Sequence, residues 1–154
     1  MEKHIDICLN KWARTIEPND TLAYAYLQKS RHDLVVLRSI SEEDTEWKST
    51  VAYYARYHIL TALLLKIGME CKNHNCSLKL AEYLFQDMIT INQFKEIKEA
   101  KKQRINLQYY TDRTVEKEEF EHNMKSVDDF VDKIQQIIES ITREDIEKIR
   151  KKIE

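Results

Sequence analysis

Glycine and proline are nearly missing: Gly68 and Pro18 are the only ones in 154 residues. Hairpin turns and dinucleotide-binding loops need glycine at defined positions. Their scarcity excludes all-β and Rossmann-like architectures. Cysteine is limited to Cys8, Cys71 and Cys76. An odd number, behind an opening MEKHIDICLNKW that lacks the long apolar core of a secretory signal, points to a reducing cytosol. No strong charge of either sign is present; the net charge of −2 gives no chain-wide nucleic-acid signature, so any basic surface must be local. Also absent are a Gly-rich phosphate loop, a nucleophile elbow and an HExxH zinc motif.

What remains is 42% apolar and 34% charged residues, the mix of amphipathic helices in water. The length suits one domain with one core. Ser49 to Gly68, STVAYYARYHILTALLLKIG, is the organising stretch. A helix apolar nearly all the way round must be covered on most sides. With Arg56 and His58 inside it, this stretch is a poor membrane span, and no membrane contact is expected. It reads as the central helix of a soluble bundle, with Gly68 at the position just past its end, where a positive φ is needed.

The other helices follow from period and caps. Ile5, Leu9, Trp12 and Ile16 predict a short first helix that Pro18 ends. Asn19 or Asp20 caps the next, whose inner stripe is Ala23, Leu27, Ser30, Leu34 and Leu37. Ser41 to Asp44 looks like a capping box for the central helix. Ser77 is expected to cap a short helix carrying Leu78, Ala81, Leu84, Phe85 and Met88, and a lysine-rich helix covers Ile91 to Tyr109. Thr114 is expected to cap a long helix on which Phe120, Met124, Val127, Val131, Ile134, Ile138 and Ile141 alternate spacings of 4 and 3. Thr142 to Asp145 is a second capping box, opening a short tail with Ile146, Ile149 and Ile153. No sheet is required. The expectation is an all-α, up-and-down bundle of four to five main helices with short helices at each end, one domain over residues 1–154 with its core in about 20–141.

Three places hold chemistry-bearing groups. Cys71-Lys-Asn-His74-Asn-Cys76 offers two thiols and an imidazole, but structural zinc wants four ligands and no second knuckle is visible, so no metal and no cofactor are expected. Within Ile91 to Tyr109, Arg104 falls on a stripe with Ile97, Ala100 and Leu107, near Lys101, Asn106, Gln108, Tyr109 and Tyr110. An arginine with aromatics and amides at a helix end can hold a phosphate and stack a base; it can equally pair with Glu99 or Asp112. His58 suits a core hydrogen bond, and Tyr53, Tyr54 and Tyr57 suit bundle packing with hydroxyls at the rim.

Three segments together resemble the HEPN domain family of small prokaryotic all-α proteins: LAYAYLQKSRHDLVVL, AYYARYHILTALLLKIG with CKNHNCS after it, and KKQRINLQYY. The likeness spans about residues 20 to 135. It implies a helical bundle that forms a homodimer, a role as an RNA- or nucleotide-binding module or a metal-independent endoribonuclease of toxin–antitoxin or defence systems, and pairing with a minimal nucleotidyltransferase. The family's ribonuclease motif is an arginine, then a polar residue, with histidine four to six positions after the arginine. Arg104 matches, but Ile105 follows it, and Tyr109, Tyr110 and Thr111 stand where histidine is required. The site expected from the resemblance is Arg104 and Tyr109 for catalysis, with Arg104, Asn106, Gln108, Tyr109, Tyr110 and Lys101 holding RNA or nucleotide, and His74 and His58 as second-tier residues. Two functions stand beside that binding module: a ribonuclease with tyrosine in place of histidine, and a purely structural interaction protein using the Phe120–Ile141 seam.

Overall fold

The computed structural model describes residues 2–154. Along the chain run α1 (Lys3–Lys11), β1 (Ala13–Thr15), α2 (Asp20–Ser39), α3 (Thr45–Lys66), β2 (Met69–Cys71), α4 (His74–Leu84), α5 (Ile91–Tyr109), α6 (Lys117–Ser140) and α7 (Arg143–Arg150). The fold is mainly α. Helix α3 lies at its centre, packed on α2, α5 and α6. Its buried residues run from Lys48 through Leu65 on nearly every face, as its all-round apolar character requires.

The stripe read on α2 is the buried one: Ala23, Leu27, Ser30, Leu34 and Leu37. Ser30 donates to the Ala55 carbonyl at 2.6 Å, so a small hydroxyl on the stripe is satisfied by the backbone of α3. On α6 the seam from Val127 through Val131, Ile134 and Ile138 to Ile141 is buried within this chain, so its apolar face is already occupied. This removes the seam as a free dimer surface, and a charge at Val131 would damage the core rather than an assembly. Phe120 and Met124, at its start, are only half-buried.

Several boundaries differ from expectation. The chain after α1 does not continue as helix to Ile16; it turns at Trp12 into β1, which pairs antiparallel with β2, Ala13 opposite Cys71 and Thr15 opposite Met69. A two-stranded ribbon therefore exists where no sheet was expected. Helix α4 is capped by Asn73, which accepts from the Cys76 amide at 3.0 Å, while Ser77 is buried inside the helix. That helix stops at Leu84 and leaves Met88 exposed. Asp44 precedes α3 without a side-chain cap, and α6 begins after Glu116, not Thr114. The Thr142–Asp145 capping box forms, and Thr90 with Gln93 makes another at α5.

Cys8 and Cys76 are joined in a disulfide that ties α1 to α4, and Cys71 is the free thiol. The odd count therefore hid one pair, and it does not by itself report a reducing surrounding. Among the described residues no helix is long and apolar enough to cross a membrane.

Gly68 has φ +81° and closes α3 as expected. Arg150 of α7 reaches this turn and donates from one nitrogen to the carbonyls of Ile16 at 2.9 Å, Ile67 at 2.8 Å and Gly68 at 3.1 Å.

Arg56 is the most demanding side chain of the core. It is fully buried on α3. Its Nε donates to Glu96 of α5 at 2.8 Å; its terminal nitrogens reach the Asn123 side chain, the Asn123 carbonyl at 3.0 Å, Ser126 Oγ at 3.1 Å and the Ala52 carbonyl. Asn123 in turn donates to Gln103 at 2.8 Å. Burial lowers the Arg56 pKa from its ordinary value, and the facing Glu96 carboxylate opposes that shift. Removing one partner of a buried charge typically costs about 3–5 kcal/mol, because the other is left uncompensated. Glu96→Ala is expected at the lower end of that range, since Arg56 keeps its amide, hydroxyl and carbonyl acceptors; urea unfolding followed by helix ellipticity measures it.

Candidate functional site

The site is set by the way α3 ends and α4 begins. Gly68 and the β-ribbon reverse the chain, and Asn73 fixes the first turn of α4, whose first residue is His74. This brings His74 back against Tyr53, Tyr54 and Tyr57, about two and a half to three and a half turns before the end of α3. The His74 ring stacks on Tyr57, with centroids 3.9 Å apart, and its Nδ1 shares a hydrogen bond of 3.0 Å with the Tyr53 hydroxyl. Tyr54 meets the same imidazole edge-on at 5.9 Å.

From α5, Arg104 closes the other side. Its guanidinium carbon stands 4.9 Å from the Tyr54 ring centre, 5.3 Å from Tyr53 and 5.8 Å from Tyr109. Cation–π attraction at such distances is worth about 0.5–2 kcal/mol, depending on desolvation. Arg104 Nε donates to Gln108 at 3.1 Å and a terminal nitrogen donates to the Tyr109 hydroxyl at 3.2 Å. Neither Glu99 nor Asp112 pairs with it, and among the described residues it forms no ion pair. Lys101, one turn earlier, bonds the Asn75 side chain beside His74. Arg104, Lys101 and His74 thus crowd one aromatic patch with no carboxylate paired to any of them.

The electrostatics record that crowding. Burial lowers the His74 pKa, and Arg104, Lys101 and His58 push it further down. Burial also lowers the Lys101 pKa, followed by repulsion from Arg104 and Lys79. The Tyr53 phenol is raised, first by burial and then by Tyr57, against the pull of Arg104, so it stays protonated. A cluster that resists its own positive charge is one that an anion would relieve.

His58 lies at the margin of the same patch. It makes the core hydrogen bond expected of it, to Asp33 Oδ2 of α2 at 2.6 Å, and its ring is 5.4 Å from Tyr54.

Of the residues expected at a site, the structure brings together Arg104, Lys101, Gln108, Tyr109, His74 and His58. It separates Asn106 and Tyr110: Asn106 accepts from Arg113 at 3.2 Å, and Tyr110 lies 3.6 Å under the Arg113 guanidinium, in a second cluster around the C-terminal end of α5. The buried stripe of α5 runs through Phe94, Ile97, Ala100 and Gln103, so Arg104 sits at its edge, half-buried, rather than on it. Tyr53, Tyr54 and Tyr57 are part of the site, not only packing at a rim; their spacing with His58 already places all four on adjacent faces of one helix. Asp33 and Asn75 had no legible signal, because their importance lies in what other elements bring to them.

The cysteine loop does not converge on a metal. Cys76 is in the disulfide, Cys71 Sγ is 3.4 Å from the Asn73 carbonyl, and His74 is stacked on Tyr57. Among the described residues no group of three or more His, Cys, Asp or Glu side chains is placed to hold a metal ion.

Compared with known protein families, residues 23–141 match the HEPN domain. No curated protein matches the chain.

The depressed His74 pKa has a sign that can be tested. The unfolded chain takes up the histidine proton more readily, so this group's contribution to stability is complete above the ordinary value near 6.5 and is lost as pH falls below it. The His74 ring proton should titrate in NMR with a midpoint below that value, and Arg104→Ala should move the midpoint upward by removing the guanidinium that most opposes its protonation.

Proposed function

The chain belongs to the HEPN domain family, and on that premise we propose that its aromatic face between α3, α4 and α5 binds single-stranded RNA or a nucleotide. The observation that carries this reading is Arg104 held over Tyr53 and Tyr54 without a carboxylate partner, next to Lys101 and His74. A phosphate between Arg104 and Lys101 would supply the missing negative charge, and the exposed Tyr109 ring offers a surface for an unstacked base. Arg104→Ala should weaken binding of a fluorescein-labelled RNA oligonucleotide about tenfold and lower the salt dependence by about one phosphate contact. Fluorescence anisotropy across a salt series reads both; unchanged binding would remove Arg104 from the site.

A second reading is favoured by His74. The family's ribonuclease needs an imidazole near the arginine, and here α4 contributes one that the positions after Arg104 lack. Tyr109 then serves Arg104 as a hydrogen-bond acceptor and is not required as a substitute base. In this reading the site cleaves RNA without metal: Arg104 and Lys101 stabilise the charge that builds on phosphorus, and the His74 ring donates a hydrogen bond to it. Cleavage of RNA in EDTA by the wild type, lost in both Arg104→Ala and His74→Gln, is the expected result. Binding without cleavage by the wild type would leave the first reading alone.

For the wider setting we propose a cytoplasmic homodimer working with a minimal nucleotidyltransferase in a toxin–antitoxin-like pair. Family membership is its support; the partner surface is a separate matter from the Arg104 face.

A further inference from the structure

Asp33 and His58 form a carboxylate–imidazole pair that neither of the two readings above uses. Asp33 Oδ2 accepts from His58 Nδ1 at 2.6 Å, across the contact between α2 and α3. A carboxylate in that position fixes the ring and places its exchangeable lone pair on Nε2. Among the described residues His58 Nε2 has no hydrogen-bond partner and no buried side-chain nitrogen or oxygen is left unbonded, so this nitrogen reaches solvent. The imidazole lies beside Tyr54, whose ring also carries Arg104, and near enough to His74 to oppose its protonation. A structural histidine needs only its bond to Asp33. One whose second nitrogen reaches solvent, beside the same Tyr54 ring that carries Arg104, can take a proton from something bound there.

We propose that Asp33 and His58 are the base dyad of this site, with His58 Nε2 accepting the 2′-hydroxyl proton of RNA held by Arg104 and Lys101. The proposal rests on the ribonuclease reading and names its base. In the step, the 2′ oxygen bonds to the adjacent phosphorus as His58 takes its proton. The bond from phosphorus to the 5′ oxygen breaks, that oxygen takes a proton from water, and His58 returns its proton to solvent. The products are a 2′,3′-cyclic phosphate and a 5′-hydroxyl, with no oxidant and no metal consumed. His58 is the catalytic residue and Asp33 a positioning residue acting through it. The dyad also sets the substrate class: a strand without 2′-hydroxyls binds and is not cut.

The groups facing His58 are Asp33 and Tyr26 of α2, Tyr54 and Tyr57 of α3, and His74 of α4, with Arg104 of α5 across the Tyr54 ring. The test is cleavage of a labelled single-stranded RNA in EDTA from pH 5 to 8, with binding followed in parallel by anisotropy. Loss of a general base is expected to slow cleavage about 10²–10⁴-fold. His58→Gln should show that loss with unchanged RNA affinity, and its kcat/KM should lack the acidic limb of the wild type. Asp33→Asn should lower kcat at constant KM, and Asp33→Glu should recover part of it. If a variant does not fold, the wild type still decides: the NMR titration of the His58 ring must share its midpoint with the acidic limb, and a mismatch overturns the assignment. Wild-type cleavage with an undiminished His58→Gln variant overturns the dyad and leaves the ribonuclease reading intact. RNA binding without any wild-type cleavage overturns both.

Discussion

The buried guanidinium of Arg56 constrains the rest of the structure. A charge at the centre of an apolar helix is unaffordable unless every donor finds an acceptor, and here the acceptors come from three places: Glu96 on α5, Asn123 and Ser126 on α6, and the α3 backbone. Hydrophobic contact alone would tolerate some sliding and rotation of α5 and α6 against α3. Directional bonds to one planar group do not, and the Asn123–Gln103 bond locks α5 to α6 around it. The rotation of α5 is thereby set. Gln103 points inward to Asn123, and the next residue, Arg104, must lie about 100° away, at the edge of the helix that faces the tyrosines.

That placement explains why the aromatic patch and the cationic patch coincide. Tyr53, Tyr54 and Tyr57 flank Arg56 on the same helix, so fixing α5 by Arg56 also fixes Arg104 over the rings. On the opposite flank, the Gly68 turn and the Asn73 cap deliver His74. A rigid helix holds the rings, and two other helices each present one nitrogen-rich side chain to them. A site assembled this way owes its precision to regular elements rather than to loops.

The helices of this protein were legible in the sequence because burial follows period. The α2 stripe, the bounds of α5 and the Thr142 cap could be read directly from spacing and composition. The ribbon was not, because Ala13–Thr15 and Met69–Cys71 have no alternation to display in three residues each; their pairing depends on the turn at Gly68 and on the chain entering α2. Pairing of Cys8 with Cys76 was invisible for a similar reason, lying across 68 residues. At the site, Arg104 and its neighbours Lys101, Gln108 and Tyr109 stood together in one segment and were recognisable as a group. His74 could be noticed but not located, and Asp33 carried no mark at all, since a carboxylate on an exposed-looking helix face becomes distinctive only when an imidazole from another helix meets it. One residue of phase decided the rest: Gln103, not Arg104, continues the inner stripe of α5, a difference that period counting over a lysine-rich helix does not resolve.

The Arg150 contact joins parts of the chain that are otherwise unrelated. One nitrogen of α7 gathers the carbonyls of Ile16, before α2, and of Ile67 and Gly68, after α3, while a side chain added at Gly68 would stand 2.3 Å from that same nitrogen and from the Ile16 oxygen. The segment before α2 and the helix after α6 therefore act as two ends of one belt buckled at a single glycine. Changes in either segment are not independent of each other: their energetic effects should be strongly epistatic, so that variation drifting into one end is permitted or forbidden by what the other already carries.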